Sequence, residues 1–121
     1  MKKKSILIID DDPELSQELT EILKAEGYHI KSALTSAKAL KILSGNIPDL
    51  IILDYKLPGG TGVELLREIR KINAESKVLF VSGKPFIEKL LEDEAISDMI
   101  SGTMSKPFDL DQLFAHIKKL A

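Results

Sequence analysis

The fold of this chain is decided by residues 48–62, which read PDLIILDYKLPGGTG. Leu50 to Leu53 form an unbroken apolar run, which is typical of a strand buried on both faces of a parallel sheet. Asp54 ends the run, so its carboxylate is predicted to emerge at the strand's carboxyl end, where open α/β sheets bind ligands. Alone, this pattern is weak, because an aspartate that begins a loop rich in proline and glycine is more often a turn former than a nucleophile.

A second apolar run, residues 6–9, ends on three consecutive carboxylates, Asp10, Asp11 and Asp12. Two such charges ~4 Å apart repel each other by about 4 kcal/mol at an effective dielectric constant of about 20. Asp12 is interpreted as the N-cap of a helix whose first residue is Pro13. The neighbouring charges of Asp10 and Asp11 are better explained by a bound magnesium ion, since Mg²⁺ prefers one or two carboxylates together with phosphate and water.

Two further segments bring polar groups to the same predicted edge. The apolar run 78–81 precedes Ser82, which supplies a hydroxyl, and the segment 99–104 leads to Lys106, which supplies an ammonium. Together these are the groups needed to move a phosphoryl group onto a carboxylate. Asp54 would be the nucleophile, Mg²⁺ and Lys106 would offset charge on the phosphoryl oxygens, and Ser82 would hydrogen-bond one of them.

Strand and helix patterns alternate along the whole chain with short loops. This alternation predicts an α/β fold, a five-stranded parallel sheet wound on both sides by five helices. With 121 residues and 44% hydrophobic content, residues 1–121 are expected to form a single domain around one core. The first helix is predicted over about 13–26, ended by Gly27, and the second is capped by Thr35 or Ser36 and runs to about Ser44. The third carries Val63 to Ile69, and the fourth lies roughly over 85–94. The fifth starts at Asp109, with Gln112 as its capping-box partner. The second strand is predicted over 28–33.

At these positions the chain resembles the receiver domains of two-component response regulators. The matching segments, in the family's order, are ILIIDDDPEL, PDLIILDYKLPGGTGVELL, VLFVSG and SKPF, and the resemblance covers essentially the whole chain. It implies a flavodoxin-like doubly wound sheet with strand order 2-1-3-4-5, Mg²⁺ as cofactor, and a sensor histidine kinase or a phosphotransfer protein as partner. The expected function is to accept a phosphoryl group on Asp54 and to signal by a conformational shift.

The resemblance also gives the candidate side chains their roles. Asp10 and Asp11 match the acidic pair that binds Mg²⁺, and Asp54 matches the phosphate-accepting aspartate. Ser82 matches the Ser/Thr that moves on phosphorylation, and Lys106 matches the lysine that contacts the phosphate. Asp11 matches the more direct metal ligand of the pair, and the backbone carbonyl of Lys56 matches the third protein ligand. The family's peptide bond before the matching proline is cis, which implies a cis Lys106–Pro107 bond.

Composition excludes several other classes of protein. Lys and Arg total 17 against 19 Asp and Glu, so there is no basic excess of the kind a nucleic-acid surface shows. Without cysteine there is no thiolate nucleophile and no Cys-ligated zinc. The apolar run after Lys2 to Lys4 is too short for a signal peptide or a membrane span, and a cytoplasmic location is expected. His29 and His116 do not make a metal site, and Gly59-Gly60 lacks the P-loop spacing.

One departure from the family keeps an alternative open. Receivers usually place an aromatic ring three residues before the lysine, and here that residue is Thr103. The signal is then expected to pass through Ser82 and the helix that follows it. The alternative is a receiver-like interaction module without phosphorylation. A haloacid dehalogenase phosphatase would need an acid at position 56, which is lysine. No enzymatic turnover is expected beyond self-phosphorylation and autodephosphorylation, and the chain could be a stand-alone regulator or part of a longer protein.

Overall fold

The computed structural model describes residues 3–58, 60–83, 89, 92 and 94–121. Strands and helices alternate within these residues, except that a short hairpin follows the third strand. The strands are β1 (Ser5–Ile9), β2 (His29–Ala33), β3 (Leu50–Asp54), β4 (Lys56–Leu57), β5 (Gly60–Thr61), β6 (Lys77–Gly83) and β7 (Gly102–Lys106). The helices are α1 (Pro13–Ala25), α2 (Ser36–Gly45), α3 (Gly62–Ile72), α4 (Glu94–Ser97) and α5 (Leu110–Leu120). The fourth helix predicted over 85–94 lies largely outside the described residues.

The long strands form one five-stranded sheet in the order β2-β1-β3-β6-β7, and every pair in it is parallel. This confirms the predicted doubly wound sheet, because the order is 2-1-3-4-5 when the small β4–β5 hairpin is left out. The chain reverses its direction of travel across the sheet between β1 and β3, which is the switch point where such folds bind ligands. Ile9 pairs with Leu53 there, so Asp10 and Asp54 leave the sheet side by side.

The core consists of two layers, one on each face of this sheet. One layer packs α2 and α3 against it through residues such as Leu43 and Leu66, and the other packs α1 and α5 through residues such as Leu19 and Ile117. All five residues of β3 are buried. Burial of each such aliphatic side chain contributes roughly 1.5–3 kcal/mol, so the central strand that carries Asp54 is held from both faces.

Side-chain caps set the starts of the helices where the sequence predicts them. Asp12 accepts hydrogen bonds from two backbone N–H groups of the first turn of α1, which begins at Pro13. Thr35 caps α2 and Asp109 caps α5 in the same way. After α1, Gly27 adopts a φ of 99°, a left-handed conformation that ends the helix at little steric cost because glycine has no Cβ.

Several element boundaries differ by one or a few residues from the approximate ones that were predicted. The first helix ends at Ala25 rather than 26, the second strand begins at His29 rather than 28, and α2 includes Gly45 because the extended backbone first appears at Asn46. The last strand starts at Gly102, inside the segment 99–104 that was expected to lead to Lys106, and the N–H of Met99 donates instead to the carbonyl of Ile96. The loop after Asp54 was not predicted to contain strands, yet β4 and β5 pair there as an antiparallel hairpin.

Candidate functional site

Three of the predicted polar side chains meet at the carboxyl edge of the sheet. Lys106, the last residue of β7, places its Nζ 2.9 Å from Oδ2 of Asp10 and 3.3 Å from Oδ2 of Asp54. The two carboxylates emerge from β1 and β3, and the parallel register of the sheet is what brings these ends together. A single ammonium group therefore lies between two carboxylates from different strands.

Both carboxylates are buried and held by backbone donors. Asp10 is 4% exposed and accepts a hydrogen bond on Oδ1 from the N–H of Asp12 at 2.9 Å. Asp54 is 6% exposed and accepts a hydrogen bond on Oδ1 from the N–H of Tyr55 at 2.9 Å. Each carboxylate is thus oriented by one short local bond on Oδ1 and by Lys106 on Oδ2.

Asp11 completes a cluster that suits a divalent cation. It is exposed, and one carboxylate oxygen from each of Asp10, Asp11 and Asp54 lies within 4.8 Å of the others. Three ionised carboxylates and the ammonium of Lys106 leave two negative charges, which one divalent cation would offset. Hard oxygen donors in a partly open cluster are what Mg²⁺ prefers, so these residues fit the ion that the family implies.

The electrostatics of the site separate the nucleophile candidate from an ordinary aspartate. Burial, and next the charge of Asp10, raise the pKa of Asp54 to about 6, although Lys106 and the Tyr55 N–H act to lower it. Partial burial acts to lower the pKa of Lys106, but its contacts with Asp10 and Asp54 outweigh burial and the net pKa is raised. At neutral pH the site therefore holds an ionised Asp54 that is more basic than usual, beside a firmly charged lysine.

The remaining candidates are placed by strand register. Ser82 is 3% exposed and lies near the end of β6, one residue after Val81, the register partner of Asp54. Lys56 lies in β4, two residues after Asp54. Thr103 is half-buried in β7, where it pairs in register with Phe80. Its small side chain stands at the position where the resemblance implied an aromatic ring. The Lys106–Pro107 bond is cis, as the resemblance implied.

Sequence reasoning missed two residues that shape this region. Gly62 begins α3 and lies against the backbone of Asp54. Arg70, on the same helix, donates hydrogen bonds to the carbonyls of Met99 and Ser76. A glycine directly after the N-cap Thr61 was the available signal for close packing at the first of these positions. Arg70 gave no such signal, because its acceptors are backbone groups.

The fold and this site define a phosphoacceptor signalling module, with an acidic pocket and a facing lysine at the switch point of the sheet. The chain belongs to the response regulator receiver domain family, whose model matches residues 6–118. Such receiver domains of two-component systems are signalling modules rather than enzymes that turn over a small substrate, and they bind Mg²⁺ at an acidic site. The pocket formed by Asp10, Asp11 and Asp54 fits the phosphorylation site of such a domain.

Individual relatives agree with this assignment. The chain is 30% identical over 119 residues to sporulation initiation phosphotransferase F of Bacillus subtilis, an alignment that covers 98% of this chain and 94% of that protein. It superposes with a TM-score of 0.85 and 33% identity on the response regulator TrrA of Thermotoga maritima in complex with Mg²⁺ and BeF, covering 98% and 99% of the two chains. A CheY-like receiver domain protein of Methanospirillum hungatei gives a TM-score of 0.86 at 30% identity, covering 98% and 93%. In the described part of the chain, no helix is both long and apolar enough to cross a membrane.

Proposed function

We propose that Asp54 accepts a phosphoryl group from a sensor histidine kinase or a phosphotransfer protein. The observation that carries this proposal is the position of the Asp54 carboxylate, which is buried at the carboxyl end of β3 with Lys106 Nζ 3.3 Å away. A pKa of about 6 leaves this carboxylate ionised at neutral pH while keeping it more basic than a solvent-exposed aspartate. It is therefore both available and reactive as a nucleophile.

The transfer needs one bond to form and one to break. A carboxylate oxygen of Asp54 attacks the phosphorus atom, and the bond between that phosphorus and the donor's imidazole nitrogen breaks. The imidazole nitrogen leaves with the bonding electron pair and takes a proton from water. Lys106 offsets the negative charge on the phosphoryl oxygens, and the hydroxyl of Ser82 donates a hydrogen bond to one of them.

The metal site of this proposal consists of Asp10, Asp11, Asp54 and the backbone carbonyl of Lys56. When bound there, Mg²⁺ supplies positive charge against the oxygens of the transferred group. The protein's own contribution is to hold the carboxylates in place. The N–H of Asp12 and the N–H of Tyr55 each fix one oxygen, of Asp10 and Asp54 respectively.

The signal leaves the site as a change in backbone position rather than as a chemical product. Thr103 has no aromatic ring that could rotate inward on phosphorylation. The proposed route of the signal therefore runs through Ser82 into the segment after β6. Lys84 and Pro85 of this segment lie outside the described residues. The proposed activity is limited to self-phosphorylation and autodephosphorylation. We further propose that residues 1–121 act as one domain in the cytoplasm, without direct contact to nucleic acid or membrane.

An intact-mass measurement tests the proposed function. The protein is incubated with acetyl phosphate in the presence of Mg²⁺, and in a parallel sample with EDTA. Wild type should gain the mass of one phosphoryl group only when Mg²⁺ is present, and Asp54→Asn should gain none. Asp49→Asn is the matched control, because Asp49 flanks the other end of β3, where it accepts a hydrogen bond from the N–H of Ser5 at 2.8 Å. That variant should be phosphorylated like wild type.

Hydroxylamine treatment identifies the type of phosphoryl bond. An acyl phosphate on Asp54 is cleaved by hydroxylamine, whereas a phosphate ester on Ser82 survives. Loss of the added mass therefore assigns it to a carboxylate. If wild type gains no mass with Mg²⁺ present, the receiver-like interaction module without phosphorylation becomes the better description of this chain.

A further inference from the structure

The backbone that follows Asp54 is held from two sides, the Asp54–Tyr55 peptide by β6 and the next peptide, Tyr55–Lys56, by the start of α3. The N–H of Tyr55 donates to Oδ1 of Asp54 at 2.9 Å and lies 3.1 Å from the carbonyl oxygen of Val81 in β6. The carbonyl oxygen of Tyr55 accepts a hydrogen bond from the N–H of Gly62 at 2.6 Å. Gly62 is the first residue of α3, so the start of this helix is tied directly to the backbone that carries the Asp54 carboxylate.

This approach is possible only because position 62 has no side chain. A Cβ atom at Gly62 would overlap the carbonyl oxygen of Asp54 and would lie 3.1 Å from both the carbonyl carbon of Asp54 and the Cα of Tyr55. These are backbone atoms, so no side-chain rotation relieves the overlap. The helix start or the Asp54–Tyr55 peptide would have to move.

Two other glycines of the same chain show the contrast. A Cβ at Gly60, in the neighbouring strand β5, would meet only the flexible side chain of Glu64, at 3.2 Å. A Cβ at Gly45, near the end of α2, would have nothing within 4 Å. A Cβ at either of these two positions would meet no backbone atom within 4 Å, so the close approach to backbone distinguishes position 62 from both of them.

We propose that Gly62 is a positioning residue for phosphorylation, which acts through the Asp54–Tyr55 peptide. By letting α3 press against this peptide, it sets the direction of the Asp54 carboxylate and of the Lys56 carbonyl that follows. This inference rests on the proposed function of Asp54. Misplacement of a reacting group by ~1 Å can lower a rate by about 100-fold. Because Mg²⁺ tolerates little departure from octahedral geometry, the same shift should weaken its binding.

The test compares Gly62→Ala with Gly60→Ala. For both variants and wild type, the melting temperature, the Mg²⁺ dissociation constant from amide NMR titration, and the rate of phosphorylation by acetyl phosphate at saturating Mg²⁺ are measured. Gly62→Ala should be phosphorylated about 100-fold more slowly and bind Mg²⁺ more weakly. Its Tyr55 amide resonance should shift in the metal-free protein, while Gly60→Ala should match wild type within a few-fold.

A second pair of variants avoids any overlap at position 62. Thr61→Val removes the N-cap of α3, whose Oγ1 accepts from the N–H of Glu64, and Thr35→Val removes the equivalent cap of α2. Both should lower the melting temperature by similar amounts, since they delete the same kind of bond. Of the two, Thr61→Val alone should slow phosphorylation, because Thr61 caps the helix whose first residue, Gly62, packs against the Asp54–Tyr55 peptide. This comparison decides the question even if Gly62→Ala does not fold.

The outcomes separate this inference from the proposed function. Wild type that takes up no phosphoryl group overturns the proposed function, and this inference with it. Wild type that is phosphorylated while the Gly62 and Thr61 variants keep its rate and its Mg²⁺ affinity overturns the positioning role alone. Equal slowing in the Thr61 and Thr35 variants also overturns it, because the effect would then follow stability and not position.

Discussion

Two partly buried cations of this molecule, Lys106 and Arg70, are held by different hydrogen-bond acceptors, charged carboxylates for Lys106 and neutral backbone carbonyls for Arg70. Lys106 faces the carboxylates of Asp10 and Asp54 at the carboxyl edge of the sheet. Arg70 faces backbone carbonyls. Its Nε lies 3.0 Å from the carbonyl oxygen of Met99, and its guanidinium also reaches the carbonyls of Asn73 and Ser76.

The acceptors decide what each cation can do. Carboxylates can take up a proton, a metal ion or a phosphoryl group, so the charge around Lys106 can change while the fold persists. Carbonyl oxygens have a constant charge. Burial lowers the pKa of Arg70, but an arginine side chain remains protonated in proteins. Arg70 therefore acts as a permanent tie between α3 and Met99, the second residue after α4, whereas Lys106 belongs to a site that can switch.

The largest expected effect separates the two cations by activity. Lys106→Met removes the positive charge that faces the phosphoryl oxygens, and phosphorylation by acetyl phosphate should slow by about 100- to 1,000-fold. Arg70→Met should keep the rate within a few-fold of wild type. Time-resolved intact mass measures both. A normal rate in Lys106→Met would remove the functional distinction between the two regions.

The second expected effect separates them by stability. Arg70→Met leaves the carbonyls of Met99 and Ser76 without this donor, and each partly buried carbonyl that loses its partner costs roughly 1–2 kcal/mol. The free energy of unfolding from urea titration should fall by about 3 kcal/mol. Lys71→Met is the control on the same helix, since its exposed ion pair with Glu68 contributes little. Equal losses in the two variants would show that the contacts of Arg70 add nothing.

The third effect is a pH dependence that only the carboxylate region should show. In EDTA, the folded protein binds the Asp54 proton with a pKa of about 6, against 3.8 for an ordinary aspartate. Binding of this proton therefore stabilises the folded state fully below pH 3.8, and this stabilisation is lost as the pH rises through about 6. Between about pH 4.5 and 7 wild type should lose about 2 kcal/mol relative to Asp54→Asn. Parallel stability curves for the two proteins would contradict the raised pKa.

The smallest effect concerns the metal. At neutral pH, Mg²⁺ at ten times its dissociation constant should stabilise wild type by about 1.4 kcal/mol, because it binds the folded carboxylate cluster. The rise in melting temperature should be much smaller in Asp11→Ala. Asp12→Ala is the matched control, since Asp12 caps α1 and is expected to lower the starting stability without reducing the Mg²⁺ response. Equal rises in the Asp11 variant and wild type would place the metal elsewhere.

The two cations also differ in how far they could be predicted from sequence. Lys106 follows a strand pattern and matches a family motif, so its place at the same edge of the sheet as Asp10 and Asp54 was expected. This holds although 96 residues separate Lys106 from Asp10. Arg70 contacts the carbonyl of a residue 29 positions away. Every residue has a carbonyl, so a pairing with one of them leaves no trace in the sequence. The β4–β5 hairpin was missed for a different reason, since each of its strands has only two residues, too few to show a strand pattern.

The sequence by itself determined the alternation of strands and helices, the capping of α1 and α5 by Asp12 and Asp109, and the polar groups delivered to one edge of the sheet. These features follow from local periodicity and side-chain chemistry, which neighbouring residues carry. Only the tertiary structure decided that Lys106 lies between two carboxylates, that burial raises the pKa of Asp54, and that α3 packs on the Asp54–Tyr55 peptide at Gly62. Distances and desolvation at this edge are set by how whole elements pack, and that packing sums contacts between residues far apart in the chain.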